Sequence, residues 1–479
     1  MAALQITDLN IIHDRLMNLI DYFYFGVSPN IFLSFDQSIS VKRNEEKRFG
    51  YQMDILNFSK KELKEKVNKI MYVDLSFDDE VSVLIKKLKP DYLLCDLVYH
   101  MPSLIEFKIP YSFIISCNPL ILNHEDFPLY GIGQGIDQIK EIKSAREEFK
   151  EIFDFIDKKF QSSYKKLNIN FQKKYPVYSP RSDNFSFYIY PKELDYFNEK
   201  IKKEYNLLQV DSPVVLSRIP LPYRLSEEFA ELPRKIIYVS LGSLFNYYYV
   251  LLQKLIDSLA NLPYKYIISK GQFGDKIKFP NNHFIGENFV DQLAVLQVAD
   301  MMIAHGGNNT FTECFYFGVP AIIVPVMGDQ MNNAKRIEET EFGLKMNIMN
   351  YTQEELKEKI EKVLLDEILF EKIKKVGERI RKEKSLDKAV KNFYESIKDI
   401  LRTLKKSISN AKRIEETGFG YQMDLMNYTV EELKDKINKI LSDKSLIEKT
   451  KKVGERIRKD NSIEKAVKFF YESLEKNLK

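Results

Sequence analysis

The chain has 479 residues, of which 44% are hydrophobic and 30% are charged, a balance that excludes disordered, collagen-like and disulfide-stapled proteins. This length suits two or three domains. The net charge is only +4, whereas a dedicated nucleic-acid binder concentrates a basic surplus on one face, so we expect no nucleic-acid partner. Three scattered cysteines, Cys95, Cys117 and Cys314, predict buried thiols in a reducing compartment.

The N-terminal segment carries no recognisable targeting signal. MAALQITDLN has an acid among its first residues and no apolar run that ends in a small-residue cleavage site. Nowhere does the sequence contain the run of about 18 apolar residues that a membrane-spanning helix needs. We therefore expect a cytoplasmic protein without a membrane span.

Strands and helices alternate from residue 79 onward. DEVSVLIKKLK predicts a helix, YLLCDL (92–97) a strand, SLIEFK a helix and YSFIISCNP (111–119) a second strand. Residues 136–175 are highly charged and predict helix. Continuous apolar strands separated by helices indicate a parallel sheet that is covered on both faces.

The same alternation is more regular from residue 235. The strands are predicted at 235–243, 264–271, 283–289, 301–305 and 321–326. Helices are predicted at 246–262, 292–299, 309–318 and 332–343, the last two closed by glycine. The chain therefore predicts two α/β lobes, at about 72–210 and 211–400, whose ligands bind at the C-terminal ends of the strands.

The strongest local feature is MMIAHGGNNTFTECFYFG, in which a strand ends at His305, two glycines follow and a helix opens at Asn309. Glycines allow close approach of the backbone to a ligand, and a helix N-terminus offers free N–H groups to a phosphate. His305, Asn309 and Thr310 add side-chain donors. The alternative is that Asn309 or Thr310 merely caps the helix and that the hydrogen bonds of His305 are merely satisfied within the turn. Glu313, one turn further on, either reaches a ribose or complements the helix dipole.

Two more turns end strands of the same lobe. Gly242 and Ser243 follow the first strand and either close on the same phosphates or form an ordinary strand-to-helix turn. Asp329 and Gln330 follow the strand AIIVPV and either bind adjacent sugar hydroxyls or cap the next helix.

Part of the sequence is repeated. Residues 334–401 recur without a gap at 411–478, and residues 42–70 resemble 412–440. Solenoid repeats run contiguously, whereas two of these copies are separated by some 260 residues of dissimilar sequence. A duplicated tail, by recombination or by a faulty gene model, explains the pattern better than a solenoid does. Residues 401–410 then form a linker to a second tail.

The segment from Asn288 to Gln330, NFVDQLAVLQVADMMIAHGGNNTFTECFYFGVPAIIVPVMGDQ, resembles the donor-binding motif of the family 1 UDP-glycosyltransferases. The resemblance extends over residues 79–400 and implies an α/β GT-B fold, with two Rossmann-like parallel-sheet lobes that face a cleft. The first lobe would be incomplete and extra helices would follow at the C-terminus. Family members usually have proline where this chain has Asp291, which we expect to loosen the turn.

The resemblance also implies roles for single residues. Phe289 would stack on the uracil, Gln292 would face the uracil or ribose, and Glu313 would bind the ribose hydroxyls. The diphosphate would be held by the two glycine turns, that is by Gly242, Ser243, His305, Gly307, Asn309 and Thr310. Asp329 and Gln330 would hold the sugar. No metal or other cofactor is implied, since a helix end and a histidine suffice for the diphosphate.

The chemistry of the family is a direct displacement with inversion, in which a histidine takes the acceptor proton and an aspartate orients it. Asp96, at the end of YLLCDL, matches that aspartate, unless it is simply a solvated strand-end carboxylate. The catalytic histidine should follow a short strand in a Gly-His turn near the N-terminus, and no segment matches this pattern. His13 is the nearest candidate, although its context, NIIHDRLMNLI, predicts an outward position on a helix.

Two functions follow as hypotheses. The first is the transfer of a glucose-like sugar from a UDP-sugar to a small lipophilic acceptor, as in the conjugation of foreign compounds. The second is a catalytically impaired relative that binds a UDP-sugar without transfer.

The corresponding domain prediction is an atypical segment 1–71, an acceptor lobe 72–210, a donor lobe 211–400 and a duplicated helical tail 401–479. A scaffold built on the charged repeat helices is a weaker third hypothesis, because mixed i,i+4 charges usually mean solubility.

Overall fold

The structure is a computed structural model that describes the following parts of the chain: 2–4, 81–83, 85–86, 92–96, 100, 102–107, 109–166, 179–214, 219–232, 234–242, 249–271, 273–326, 328–395, 417–421 and 430–459. The chain divides into two compact units. One consists of Met1–Gln5 and His13–Ser396, and the other of Ile6–Ile12 and Ile397–Lys479. Two residues of the predicted site, His13 and Ser243, lie outside the described residues.

The first lobe is built on a sheet of five strands in the order β1-β2-β3-β4-β5. These are β1 Ala2–Leu4, β2 Tyr92–Cys95, β3 Tyr111–Ile115, β4 Ser186–Ile189 and β5 Leu207–Val210. Strands β2 to β5 are parallel, and β1 pairs with β2 in the antiparallel direction. The sequence patterns predicted β2 and β3 but missed β1, β4 and β5. The expected shortage of first strands falls on residues 5–80 and stays a prediction.

Helices pack against this sheet. They are α1 Pro102–Glu106, α2 Ile139–Lys166 and α3 Glu199–Glu204, and residues 81–83 and 85–86 are also helical. Helix α3 begins after Asn198, whose side chain accepts a hydrogen bond from the backbone N–H of Ile201. Helix α2 carries the charged pattern that predicted it and begins at Ile139, three residues after the predicted start, while residues 167–175 of the predicted range lie outside the described residues.

The second lobe is a six-stranded sheet in the order β11-β10-β9-β6-β7-β8, with every described pair parallel. Its strands are β6 Ile236–Ser240, β7 Lys265–Ser269, β8 Phe284–Glu287, β9 Met301–Ala304, β10 Ala321–Ile323 and β11 Gly343–Lys345. Ala304 is in register with Ser240 on one side and Ile323 on the other. The turns that follow these three strands therefore lie side by side at one edge of the sheet, as the alternation predicted.

The helices of the second lobe are α4 Glu227–Glu231, α5 Tyr249–Leu259, α6 Gln292–Leu296, α7 Asn308–Phe317, α8 Asp329–Glu339, α9 Gln353–Leu365, α10 Glu367–Glu383 and α11 at 385–395. Helix α7 ends at Gly318, whose φ of 73° is the left-handed conformation typical of a helix C-cap. Helix α8 begins at Asp329, three residues earlier than its pattern predicted, and β11 was not predicted.

Helix α11 returns from the second lobe to the first. The ring of Phe393 is buried and lies edge-on to Tyr92 at 5.5 Å between centroids and against Phe187 at 5.0 Å. Arg379 on α10 forms ion pairs with Glu193 and the buried Asp211 of the first lobe. The two lobes thus share aromatic packing and a charged contact within one compact unit.

The second unit contains the helices α12 Val430–Ser442 and α13 Lys444–Lys459. Each begins 77 residues after its counterpart, α9 or α10, in the first unit. Ile360 on α9 is fully buried, whereas the matching Ile437 on α12 is 45% exposed and Leu441 is 70% exposed. The same apolar helix face is therefore part of a core in one copy and largely exposed in the other.

Candidate functional site

The turn after β9 brings backbone to the edge of the second sheet. Gly306 has a φ of +87°, and a Cβ there would clash with the side chain of Ile323. Gly307 is the N-cap of α7 and makes no side-chain capping bond, so α7 begins at Asn308. The alternative that Asn309 or Thr310 caps this helix is therefore wrong, because both residues lie inside its first turn.

His305 lies between the two glycine turns. A Cβ added at Gly242 or at Gly307 would lie 2.5 Å from Nε2 of the imidazole, so both positions need glycine for the ring to fit. Burial lowers the pKa of His305 to about 4, although a hydrogen bond to the backbone of Ser240 opposes the shift. Among the described residues, Nδ1 has no hydrogen-bond partner, and it is buried. The ring is thus neutral near pH 7, and Nε2 is the nitrogen that lies against the two glycine turns.

Three predicted residues meet beside this turn. Gln292, the first residue of α6, donates from Nε2 to Oγ1 of Thr310 at 3.1 Å and to Oε2 of Glu313 at 2.5 Å. Tyr238 donates from its hydroxyl to Oε1 of Gln292 at 3.4 Å. Glu313 is only 3% exposed, so a carboxylate is held at the buried end of a polar cluster. The family resemblance implied that Gln292 and Glu313 both face the nucleoside, and their side chains are in contact here.

The segment before α6 presents an aromatic ring to solvent. Phe289 is 62% exposed, which is unusual for a phenylalanine three residues away from the buried polar cluster. Asp291 accepts hydrogen bonds from the backbone N–H groups of Leu293 and Ala294 and is the N-cap of α6. Its carboxylate thus constrains the turn with two hydrogen bonds where family members have proline, and the expectation that Asp291 loosens the turn stays a prediction.

Asp329 and Gln330 are the first two residues of α8, whose N-cap is Gly328, so neither caps this helix. The backbone N–H of Asn308 donates to Oδ2 of Asp329 at 3.2 Å, and Oε1 of Gln330 accepts from the backbone N–H of Val326 at 2.9 Å. Burial raises the pKa of Asp329 to about 6, opposed by several backbone hydrogen bonds. The carboxylate of Asp329 thus lies at the start of α7, the helix whose N-terminus the sequence predicted to bind the diphosphate.

Asn309 lies in the first turn of α7 and is partly buried. Its carbonyl oxygen accepts from the hydroxyl of Thr312 at 2.9 Å. The residue before it, Asn308, was not predicted. Its side-chain Nδ2 donates to the carbonyl oxygens of Ser116, at 3.1 Å, and Ile189, at 2.8 Å, both in the first lobe.

Asp96 follows β2 at the C-terminal edge of the first sheet. The hydroxyl of Ser116 lies 2.9 Å from Oδ1 and 3.0 Å from Oδ2 of Asp96. Burial raises the pKa of Asp96 to about 6, opposed mainly by this hydrogen bond. The alternative of a freely solvated strand-end carboxylate is therefore wrong, since the group is partly desolvated and already bonded.

The chain has five histidines. Four are described, each with its own surroundings: His100 by Tyr111 and the carbonyl of Ser179, His124 by the backbone of Asp126, His283 by Arg234, and His305 in the glycine turn. Burial lowers the pKa of His100 to about 4. Within the described residues, the side chain of Asp96 bonds to Ser116 and to none of these four histidines.

Side chains between the lobes were not identified from the sequence. Asn118, Tyr190, Asn332, Asn333 and Arg336 are each under 10% exposed or fully buried, and all make hydrogen bonds from one lobe to the other. The pair Asn332-Asn333, just after Asp329-Gln330, was the one available signal, because adjacent amides on a helix are costly to bury unless they are bonded.

Metal binding, membrane spanning and the state of the thiols were also checked against the described ranges. Within them, no group of three or more His, Cys, Asp or Glu side chains is close enough together to hold a metal ion. No helix within those ranges has the length and apolar character needed to cross a membrane. The three cysteines are free thiols, with Cys95 and Cys314 buried and Cys117 partly so.

Residues 265–393 match the glycosyltransferase family 28 C-terminal domain. Among curated relatives, the NDP-glycosyltransferase YjiC of Bacillus subtilis is 25% identical over 350 residues, which are 70% of this chain and 81% of that protein. The uncharacterized UDP-glucosyltransferase YdhE of the same organism is 28% identical over 166 residues, 34% of this chain and 42% of that protein. This alignment thus spans less than half of YdhE.

Two solved structures share the fold. The glycosyltransferase of kitacinnamycin has a TM-score of 0.53 at 15% identity, with 70% of this chain and 82% of that chain covered. The calicheamicin glycosyltransferase CalG4 has a TM-score of 0.50 at 15% identity, with 73% and 85% covered. The predicted GT-B fold with two Rossmann-like lobes is confirmed. The curated relatives reported above are named as glycosyltransferases, which is the enzyme class that the sequence predicted.

Proposed function

We propose that this chain transfers a glucose-like sugar from a UDP-sugar to a hydroxyl of a small lipophilic acceptor, in the manner of the family 1 UDP-glycosyltransferases. The observation that carries the proposal is the convergence at one sheet edge of the neutral His305, the Gln292–Thr310–Glu313 cluster and the exposed Phe289. Relatives named as UDP-glucosyltransferases support the donor class.

The diphosphate would lie against the start of α7. A helix N-terminus offers N–H groups that have no partner within the helix, together with the positive end of the dipole. Gly306 and Gly307 allow the phosphates to approach the backbone. Nε2 of His305 lies against both glycine turns, and in the tautomer that carries its proton there the ring would donate to a phosphate oxygen. We propose that no metal is needed, so that chelation with EDTA leaves transfer unchanged.

The nucleoside would lie against the polar cluster of Gln292, Thr310 and Glu313. Glu313 is an acceptor held in place by Gln292, and a carboxylate can accept from two neighbouring ribose hydroxyls. The exposed ring of Phe289 offers an apolar face for stacking of the uracil, where a base gains affinity without hydrogen-bond readout. Asp329 and Gln330 follow the next strand, and we expect Asp329 to accept hydrogen bonds from the sugar and Gln330 to donate to it.

Transfer would be a single displacement. The acceptor oxygen attacks the anomeric carbon as the bond from that carbon to the diphosphate oxygen breaks, and UDP leaves with the electron pair. The acceptor proton passes to a general base, which must be within hydrogen-bond reach. Asp96 would orient that base. His13 is the remaining histidine for this role and lies outside the described residues.

The second candidate is a UDP-sugar-binding relative that transfers slowly or not at all. The observation that favours it is that, within the described residues, Asp96 bonds to Ser116 while each of the four described histidines has other partners. Loss of general-base assistance typically costs about 10²–10⁴-fold in rate. The two candidates share one donor site and differ in turnover.

One experiment separates them. UDP-glucose is titrated calorimetrically into the full chain, and the same preparation is then incubated with UDP-glucose and a phenol. Binding with turnover supports transfer, and binding without turnover selects the impaired relative. Absence of UDP-glucose binding overturns both.

Variants of Phe289 test the base-stacking surface. Phe289→Ala should weaken UDP binding about tenfold, and Phe289→Tyr should retain it, because the stacking face is preserved. Leu221, which is 87% exposed in the same lobe, provides the control Leu221→Ala, which should leave the affinity unchanged.

A further inference from the structure

Asn333 is a fully buried amide on α8 whose two ends contact different lobes. Its Nδ2 donates to the carbonyl oxygen of Gly306 at 2.8 Å. Its Oδ1 accepts from Nδ2 of Asn118 at 2.7 Å and from the hydroxyl of Tyr190 at 3.1 Å. One side chain thus connects the glycine turn of the second lobe to two residues that follow strands of the first.

The glycine turn needs an external constraint. Gly306 and Gly307 have no side chains, and glycine has more conformational freedom to lose than any other residue. Gly307 caps α7 without a side-chain hydrogen bond. The bond from Asn333 to the Gly306 carbonyl therefore restrains the backbone at the position where the diphosphate would bind.

The first-lobe partners of Asn333 lie at the strand ends that form the other side of the cleft. Asn118 follows β3, and its own Oδ1 accepts from the backbone N–H of Leu120 at 3.0 Å. Tyr190 follows β4, and its ring stacks on Phe311 of α7 at 5.8 Å between centroids. Both partners are buried and fixed by other contacts, so they give Asn333 a rigid reference in the first lobe.

We propose that Asn333 is a positioning residue that fixes the glycine turn relative to the first lobe, and with it the alignment of the UDP-sugar to the acceptor. The part of the proposal that concerns alignment rests on the proposed function. Misplacement of reacting groups by about 1 Å costs on the order of 10²-fold in rate, so a residue remote from the reacting atoms can control turnover in this way.

The neighbouring Asn332 provides a matched control. It lies on the same helix, is 1% exposed and also bridges the lobes. Its Oδ1 accepts from the backbone N–H of Gly131 at 2.5 Å, and its Nδ2 donates to the carbonyl of Leu129 at 3.2 Å. Asn332→Ala therefore removes an amide between the lobes while leaving the bond to Gly306 in place.

The first test needs no ligand. Hydrogen exchange is measured on the full chain for the peptide that contains residues 301–311. Asn333→Ala should accelerate exchange of the turn amides at least about tenfold, because a buried hydrogen bond is lost, whereas Asn332→Ala should not. Equal exchange in the two variants would overturn the positioning role.

The second test uses UDP binding and kinetics. Asn333→Ala should weaken UDP binding about tenfold and lower kcat by about 10- to 100-fold, while Asn332→Ala changes UDP affinity less than about threefold. Asn118→Ala and Tyr190→Phe, which keep the bond to Gly306, should lower kcat with little change in UDP affinity. If Asn333→Ala does not fold, these two variants carry the test, and a parallel fall in kcat and UDP affinity in both would overturn the inference.

The outcomes for the two proposals differ. A wild-type chain that does not bind UDP overturns the proposed function, and the exchange experiment still decides whether Asn333 restrains the turn. A wild-type chain that binds UDP only as tightly as Asn333→Ala does leaves the proposed function standing and overturns the inference.

Discussion

The carboxylate of Asp329 accepts a hydrogen bond from the backbone N–H of Asn308, with 3.2 Å between Oδ2 and N. Asn308 is the first residue of α7, so a partly buried carboxyl group lies at the positive end of that helix. The interaction favours the ionised carboxylate, whereas burial disfavours it, and burial has the larger effect on its pKa.

Asp329 should make the stability of the protein depend on pH. Its pKa is raised from 3.8 to about 6, so between these values the folded protein holds a proton that the unfolded chain releases. The contribution of Asp329 to the unfolding free energy therefore falls as pH rises, by up to about 3 kcal/mol above pH 6. The Tm of Asp329→Asn minus the Tm of wild type should therefore increase as the pH rises from 4 to 7. The exposed Asp387→Asn is the control, and a Tm difference that is constant with pH would contradict this account.

Glu313 should distinguish ribose from deoxyribose. If its carboxylate accepts from the ribose hydroxyls, the wild type will bind UDP more tightly than 2′-deoxy-UDP, and Glu313→Ala will reduce that preference by about fivefold or more, because charged hydrogen bonds are the stronger ones. Calorimetry with both nucleotides on both proteins measures the ratio. Glu354→Ala, at an exposed position on α9, should keep the wild-type preference. A preference that survives in Glu313→Ala places the ribose elsewhere.

The two copies of the tail helix should differ in their contribution to stability. Ile360 is fully buried, so Ile360→Ala should destabilise the first unit by about 2–5 kcal/mol. Ile437 occupies the same place in the second copy and is 45% exposed, so Ile437→Ala should cost less than about 1 kcal/mol. Thermal unfolding of the two variants beside wild type measures both. Similar losses in the two variants would mean that the second copy is packed as the first one is.

Arg379 should be important for the contact between the lobes. It pairs with Asp211, whose side chain is 2% exposed, and with Glu193, at 2.8 Å and 2.6 Å. Arg379→Met leaves a buried carboxylate unpaired and should destabilise the protein by about 3 kcal/mol, whereas the exposed Arg224→Met should change little. Arg379 lowers the pKa of Asp211, so the loss should shrink in acid as Asp211 becomes protonated. A loss of Tm that is as large in acid as at pH 7 would argue against the ion pair as its cause.

The sequence alone determined the second lobe. Its strands are continuous apolar runs, α7 ends at Gly318 as predicted, and each pattern is set by neighbours within a few residues. Helix α8 instead ends at Glu339, and Gly343, predicted to close it, begins β11. The same local signals located the glycine turns at one edge of the sheet, because parallel strands end at a common edge. The place of Gln292 near Glu313 was implied only by the family resemblance. The short strands β4 and β5 were missed, since four-residue apolar runs next to turn residues do not distinguish strand from loop.

Only the tertiary structure decided what the polar residues between the lobes do. Asn118 and Asn333 are 215 residues apart, and Asn308 and Ser116 are 192 apart, so no local pattern relates them. A buried amide is tolerated where its hydrogen bonds are satisfied, and those partners exist only once both sheets have folded and met. Folding likewise placed the carboxylate of Asp329 at the start of α7. These outcomes depend on burial and long-range contact, which a linear sequence does not record.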